Sequence, residues 1–212
     1  MKSRQEIKAL AKESVAQQRG TVIIIVFLLV LIGSATGLIG QIPFIGWLLS
    51  IALTFIIMAL EVNMSGSFIK IYRREMITVG DPFSALSVNF FRKVGGMYWM
   101  ALWVFLWSLL LVIPGIVKAF AYCLTPYILA DCPNVTATNA LKLSMRMTKG
   151  HKMDLFVLAL SFIGWMILSA LTFGILYFVY VGPYMYATFA GFYTQLRDKA
   201  IASGVVEQSE LV

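Results

Sequence analysis

The sequence predicts an all-α membrane protein: a polytopic bundle of six membrane-embedded helices, arranged as three hairpins, each preceded by an amphipathic helix at the cytoplasmic interface. Three observations carry this reading. Of 212 residues, 60% are hydrophobic and only 13% are charged, where a soluble domain carries about 25% charged residues; mean hydropathy is +0.85. Apolar stretches bounded by charge recur six times along the chain. The Lys and Arg residues gather on alternate connectors. Too few polar side chains exist to cover a soluble domain of this size, and the same composition excludes a disordered, collagen-like or disulfide-stapled chain.

The chain is expected to form one membrane domain, with an interfacial helix at 1–19, a first hairpin at 20–80, a second unit at 81–131, a third at 132–199 and a cytoplasmic tail at 200–212. Ser3-Arg4-Gln5-Glu6 is a capping box, in which the Ser hydroxyl accepts an orphan N–H and the Glu reaches back to the cap. Behind it Ile7, Leu10, Ala11, Ser14 and Val15 share one helical face, and Lys8 and Lys12 another. A basic lead before an apolar run can mimic a signal peptide. Here the lead is long and the run passes well beyond a signal core, so it reads as a retained first span.

The six spans are expected at about 21–39, 44–61 (running on toward 68), 96–113, 116–130, 154–173 and 175–196. The fourth is short for a hydrocarbon core of roughly 30 Å. Uncharged turns at 40–44, Pro114-Gly115 and Gly174 join them in pairs. Asp81-Pro82 reads as a cap followed by proline at the first helical position, with Phe83, Leu86 and Phe90 as an apolar stripe. Thr136 or Thr138 caps a helix that carries Lys142, Arg146 and Lys149 on one face. Arg19-Gly20, Lys93-Val94-Gly95-Gly96 and Lys149-Gly150 read as glycine elbows between interface and span.

Sixteen of the 17 Lys and Arg fall on one side of this topology, and Lys118 alone on the other. Basic residues stay cytoplasmic, so both termini lie inside and the three turns face outward from the plasma membrane. The net charge of +7 then points to anionic phospholipid rather than nucleic acid. Lys8, Lys12, Arg92, Lys93, Lys142, Arg146 and Lys149 are the candidate headgroup contacts. Beyond the membrane, the expected partners are a membrane protein or a second copy of the chain.

One local pattern repeats. Tyr122…Pro126-Tyr127…Ala130 matches Tyr180…Pro183-Tyr184…Ala187, each in a returning span that proline must bend. Two readings stand. In one, Pro126 and Pro183 bend the two spans toward a shared cavity walled by Tyr122, Tyr127, Tyr180 and Tyr184, with Lys118 drawing in an anionic group and Glu61 closing the inner end. In the other, the kinks only shape packing, Lys118 snorkels outward, and Glu61 pairs with Arg73 or Arg74 at headgroup level. Gly33-Ser34-Ala35-Thr36-Gly37, and Ala187 with Gly191, are small-residue faces suited to close helix contact, within the chain or between copies. His151 and Asp154 stand three apart, as a helix cap or an acid–base pair. Cys123 and Cys132 lie in no metal or redox spacing, and the chain carries no HExxH, GxSxG or Walker pattern. No metal, cofactor or catalytic site is expected, and the protein is not read as an enzyme.

Several stretches together resemble a known family: Leu106-Trp107-Ser108-Leu109-Leu110-Leu111-Val112-Ile113-Pro114-Gly115-Ile116-Val117-Lys118; Tyr127-Ile128-Leu129-Ala130-Asp131; Met147-Thr148-Lys149-Gly150-His151-Lys152; Leu160-Ser161-Phe162-Ile163-Gly164-Trp165; and Leu171-Thr172-Phe173-Gly174-Ile175. The chain resembles the bacterial integral membrane proteins catalogued as domain of unknown function 975, typical of Gram-positive bacteria. Cys132 stands where that family usually has Asn. The layout is more distantly similar to the membrane domain of some glycerophosphodiester phosphodiesterases. The resemblance implies a membrane bundle and assigns no reaction. The function expected is to bind or move an amphipathic ligand, a lipid or a membrane-active peptide. The alternative is a non-catalytic scaffold or regulatory partner of another membrane protein, and a membrane enzyme with Glu61, His151 or Asp154 ranks last.

Overall fold

The computed structural model describes residues 2–211, and the terminal Met1 and Val212 of the expected domain lie outside them. Eleven α-helices make up most of the described chain, with no strand among these residues. They are α1 (Arg4–Gln17), α2 (Arg19–Ile39), α3 (Gly46–Tyr72), α4 (Asp81–Ser84), α5 (Phe90–Leu110), α6 (Val112–Tyr122), α7 (Thr125–Asp131), α8 (Ala137–Thr148), α9 (Lys152–Leu160), α10 (Ile163–Leu171) and α11 (Gly182–Ala202). A π-helical segment, Tyr177–Val181, leads into α11, and a 3₁₀ turn, Gln208–Leu211, follows it.

Five helical stretches are long and apolar enough to cross a membrane: Arg19–Ile39, Gly46–Tyr72, Phe90–Leu110, Val112–Asp131 and Lys152–Leu171. The expected sixth span falls outside this set, because α11 carries Arg197, Asp198 and Lys199, and the helix buries residues along its whole length. Burial is uneven. The core is built from the second half of α3, from α7, α8 and α11, and from Ile7, Ala11 and Ser14 on one face of α1. Around the turns the surface is apolar and open: Phe44, Ile113 and Phe173 are 88%, 75% and 96% exposed. A continuous apolar surface of this extent requires lipid or a protein partner to cover it.

The local signals hold where a helix end is set by chemistry in its own first turn. Ser3 and Glu6 form the capping box, with the Ser3 N–H donating to Glu6 Oε2 at 2.6 Å and the Glu6 N–H donating to Ser3 Oγ at 3.2 Å. These bonds hold the Glu6 carboxyl below the usual range. Thr136 caps α8 by accepting from the Asn139 N–H. Both repeated prolines open a new helix after a break. Pro126 follows Cys123–Leu124, and Pro183 follows the π-helical segment, whose wider turn is closed by the Gly182 N–H donating to Tyr177 O. A proline removes one N–H and crowds the carbonyl four residues back, and a π turn relieves that clash.

Other expectations are corrected. The apolar stripe from Phe83 to Phe90 does not form an amphipathic helix: α4 stops after four residues, Gly80 holds its cap position, and Asp81 instead takes bonds from the Thr78 N–H and hydroxyl. Gly95 and Gly96 sit inside α5, and the elbow falls on Asn89, in the left-handed region at φ 53°. Gly20 is likewise helical, the break lying at Gln18, while Gly150 (φ 84°) does turn the chain. Pro114 and Gly115 lie in the first turns of α6, where a missing N–H costs nothing; the reversal is made by the extended Leu111. Gly115 is needed there because a Cβ would strike Ser108 of α5.

The small-residue faces separate. A side chain at Gly33 or Gly37 would meet nothing within 4 Å, so neither takes part in packing within the chain, whereas Gly191 lies directly against the Tyr72 ring and lets α11 approach α3. Gly191→Leu is therefore expected to destabilise the protein by about 1–3 kcal/mol through overpacking, read as a lower Tm in detergent, while Gly33→Leu leaves Tm unchanged. Equal effects of the two substitutions would contradict this packing.

Candidate functional site

The eight residues expected around one void do not share one surrounding. Lys118 and Tyr122 line a groove of about 330 Å³ together with Trp99, Trp103, Trp107 and Lys142. Tyr180 and Tyr184 line a separate, smaller cavity beside Lys12 and Arg19, between α1 and α11. Tyr127 is in the core, stacked on Tyr193 with ring centroids 5.7 Å apart, and Pro126 and Pro183 open helices rather than line a cavity. Glu61 is half-buried near the Tyr177 and Tyr186 side chains. A single cavity shared by the two Pro-Tyr segments is thus not formed, because Tyr180 turns onto Trp165 (5.3 Å) and Tyr184 onto Phe162 (5.3 Å) on the far side of α11.

The groove has a simple origin. Trp99, Trp103 and Trp107 are four residues apart and fall on one face of α5. Across from them α6 presents Lys118 and Tyr122, and α8 presents Leu141, Lys142 and Met145. Lys118 does not snorkel away. Its ammonium lies 4.8 Å from the Trp107 ring centroid, 5.7 Å from that of Tyr122 and 4.0 Å from Met145 Sδ. Aromatic faces stabilise a cation in apolar surroundings. Among the described residues neither Lys118 nor Lys142 forms an ion pair.

The other basic candidates divide. Lys12, Lys142 and Lys149 are exposed. Lys8 is drawn onto Ser161 Oγ and over the Phe162 ring at 4.6 Å, and its partial burial lowers its pKa. Arg146 donates to Glu210 Oε1 at 2.6 Å and to Val205 O, which fastens the tail to α8 and holds the Glu210 carboxyl below the usual range. Arg92 and Lys93 point inward, a correction to their expected place at the headgroups: Lys93 is 6% exposed and donates to Asn63 Oδ1 (2.6 Å) and Ala85 O (2.8 Å). Arg92 caps the end of α7 through Leu129 O (2.6 Å), Cys132 O (3.1 Å) and Val135 O (2.7 Å). His151 meets Asp154 through Nδ1 at 3.2 Å and Lys199 through Nε2 at 2.9 Å. A lysine donating to Nε2 places the ring proton on Nδ1, facing the carboxylate.

The sequence reading missed the residue with the densest polar contacts. Asp131, at the end of α7, takes a two-pronged pair from Arg73 (2.9 and 3.1 Å), a hydrogen bond from the Tyr193 hydroxyl (3.0 Å) and the approach of Arg197 Nε at 3.4 Å. Its side chain is 11% exposed. Glu61 accordingly has neither expected partner, since Arg73 goes to Asp131 and Arg74 to Glu13. The available signal was that Arg73 and Asp131 end their helices and Arg197 lies in the last turns of its own. Asp131→Asn should cost about 2–3 kcal/mol, the low end for breaking a mostly buried pair because Arg73 keeps some water, and lower Tm in detergent by roughly 5–10 °C. Arg74→Gln, at the exposed Glu13 pair, should change Tm by less than about 2 °C. Equal losses from the two variants would refute this ranking.

Comparison with known proteins adds one match. No curated protein and no solved structure matches the chain. Residues 96–200, just under half of the chain, match the family described as protein of unknown function (DUF975). The stretch from α5 to α11 is thus similar to that family, which supports the resemblance read from the sequence.

Proposed function

We propose that the whole chain, residues before 96 included, is a multi-pass membrane protein of this family that binds an anionic phospholipid in the tryptophan groove and catalyses no reaction. The observation that carries the reading is the position of Lys118. A lysine in an apolar helix is costly and marks function by default, and this one is presented to a groove walled by three indole rings, with Lys142 at its edge. Two cations without carboxylate partners suit a phosphodiester, and the Trp faces suit the glycerol and upper acyl chain. The alternative, a scaffold that docks another membrane helix, is favoured by one feature, the unpacked Gly33 and Gly37 face of α2.

Tryptophan fluorescence tests the ligand. Brominated phosphatidylglycerol added to the protein in neutral detergent should quench saturably, and brominated phosphatidylcholine should quench much less. Lys118→Gln and Lys142→Gln together should raise the half-saturating lipid fraction about tenfold, equivalent to roughly 1.4 kcal/mol, with Tm unchanged. Identical curves for the two lipids, or for variant and parent, would remove the groove as a lipid site.

The reading includes six membrane segments, π-helical segment and α11 forming the last, with both termini cytoplasmic; the distribution of Lys and Arg supports it. In a background lacking Cys123 and Cys132, single cysteines at Gln41, Ile113 and Phe173 should react with an impermeant thiol reagent in sealed cells. Cysteines at Gln5 and Asn139 should react only after permeabilisation, and labelling of either in sealed cells would invert the topology.

A further inference from the structure

A second cavity, of about 210 Å³, lies apart from the tryptophan groove, where α3, α4, α5 and the end of α7 meet. Lys70, Arg92 and Lys93 line it, with Asn63, Ser67 and Asn89 as neutral polar neighbours. Its charge balance is unusual. Lys93 and Arg92 are adjacent in sequence, both turned inward, and bonded only to neutral oxygens: an amide and a carbonyl for Lys93, three carbonyls for Arg92. Among the described residues neither forms an ion pair. The one carboxylate on the wall is Asp81, which is held by the Thr78 N–H and hydroxyl and lies toward Lys70. The Arg92 Nε–H is buried and donates to nothing.

A buried lysine beside a half-buried arginine, neither of them ion-paired, is disfavoured unless a negative group is taken up beside them. The fold holds them in place regardless, since Asn63 is fixed by donating to Pro82 O at 2.7 Å while it accepts from Lys93. We infer that this cavity is an anion site for one phosphoryl group, with Lys93 and Arg92 as its inner charges and Lys70 at its rim. The group is free phosphate or a phospholipid headgroup. Arg supplies a planar fork and Lys a point charge, a pairing suited to a tetrahedral oxyanion.

The full chain in neutral detergent tests the site through Tm. One arm titrates sodium phosphate against sodium chloride at matched ionic strength. The other dopes the micelles with phosphatidylglycerol against phosphatidylcholine. A saturable rise of roughly 3–8 °C is expected in at least one arm: in the phosphate arm if the ligand is the free anion, in the phosphatidylglycerol arm alone if it is a headgroup. Lys93→Met should abolish the phosphate response and, in the phosphatidylglycerol arm, the part of the rise that remains when Lys118 and Lys142 are both changed to Gln. Lys70→Gln, at an exposed position that does not endanger folding, should raise the half-saturating concentration about threefold to tenfold, and it decides the matter if Lys93→Met does not fold. The double variant Lys118→Gln, Lys142→Gln should keep the rise, which separates this site from the tryptophan groove. No saturable rise in either arm, an undiminished response in Lys70→Gln, or loss of the rise in the double variant would overturn the inference.

Discussion

One carboxylate joins the ends of three helices. Asp131 closes α7, Arg73 follows the last residue of α3, and Arg197 lies in the last turns of α11. Each cation would face a desolvation cost in the packed base that its neutral surroundings do not repay, and one Asp answers both. The two-pronged geometry from Arg73 fixes the relative rotation of α3 and α7, and the Tyr193 hydroxyl fixes that of α11. The apolar contacts follow from that arrangement. Tyr72 reaches the flat surface at Gly191, Phe68 stacks on Tyr186 at 5.2 Å, and Tyr127 stacks on Tyr193.

The parts of this structure legible in the sequence are those decided within a few residues. Apolar length gave five of the six expected spans, Ser3 with Glu6 and Thr136 set two helix starts, and Pro126 and Pro183 marked two breaks. Partner choice across helices was not legible. Lys93 and Lys142 both read as headgroup lysines because each sits near a helix end with apolar neighbours. What separates them is Asn63, thirty residues away from Lys93, which offers an acceptor inside the fold. Glu61 was assigned Arg73 or Arg74 by proximity along the chain, whereas Asp131 and Glu13 claim them in space. The stripe at Phe83 and Leu86 has helical spacing, yet four residues of helix are all that form, since Thr78 draws the Asp81 carboxylate into a turn.

The candidate site shows the same division. The spacing of Trp99, Trp103 and Trp107 places them on one face from sequence alone. That Lys118 would lie over Trp107 required knowing that α5 and α6 are packed so closely that Gly115 has no room for a side chain. The repeated Pro-Tyr segments are equivalent in their effect on the backbone, a break before the proline, and unlike in what their tyrosines touch. A repeat in sequence preserved the bend without preserving the surroundings.

The breaks at Cys123–Leu124, at Ser161–Phe162 and in the segment Tyr177–Val181 divide three apolar stretches into two pieces each. On one side of them α7 and α11, from the first and third stretches, are stapled at Asp131; on the other, α10 of the second stretch presents an almost wholly apolar face and buries only Ser169. In a bilayer this separates two mechanical tasks. Mismatch between an apolar segment and the hydrocarbon layer costs a fraction of a kcal/mol per ångström, and a helix interrupted where its hydrogen-bond ladder is incomplete bends more cheaply than an unbroken one. The base at Asp131 is held by polar bonds of fixed direction, and the pieces beyond the breaks by apolar contacts that have none.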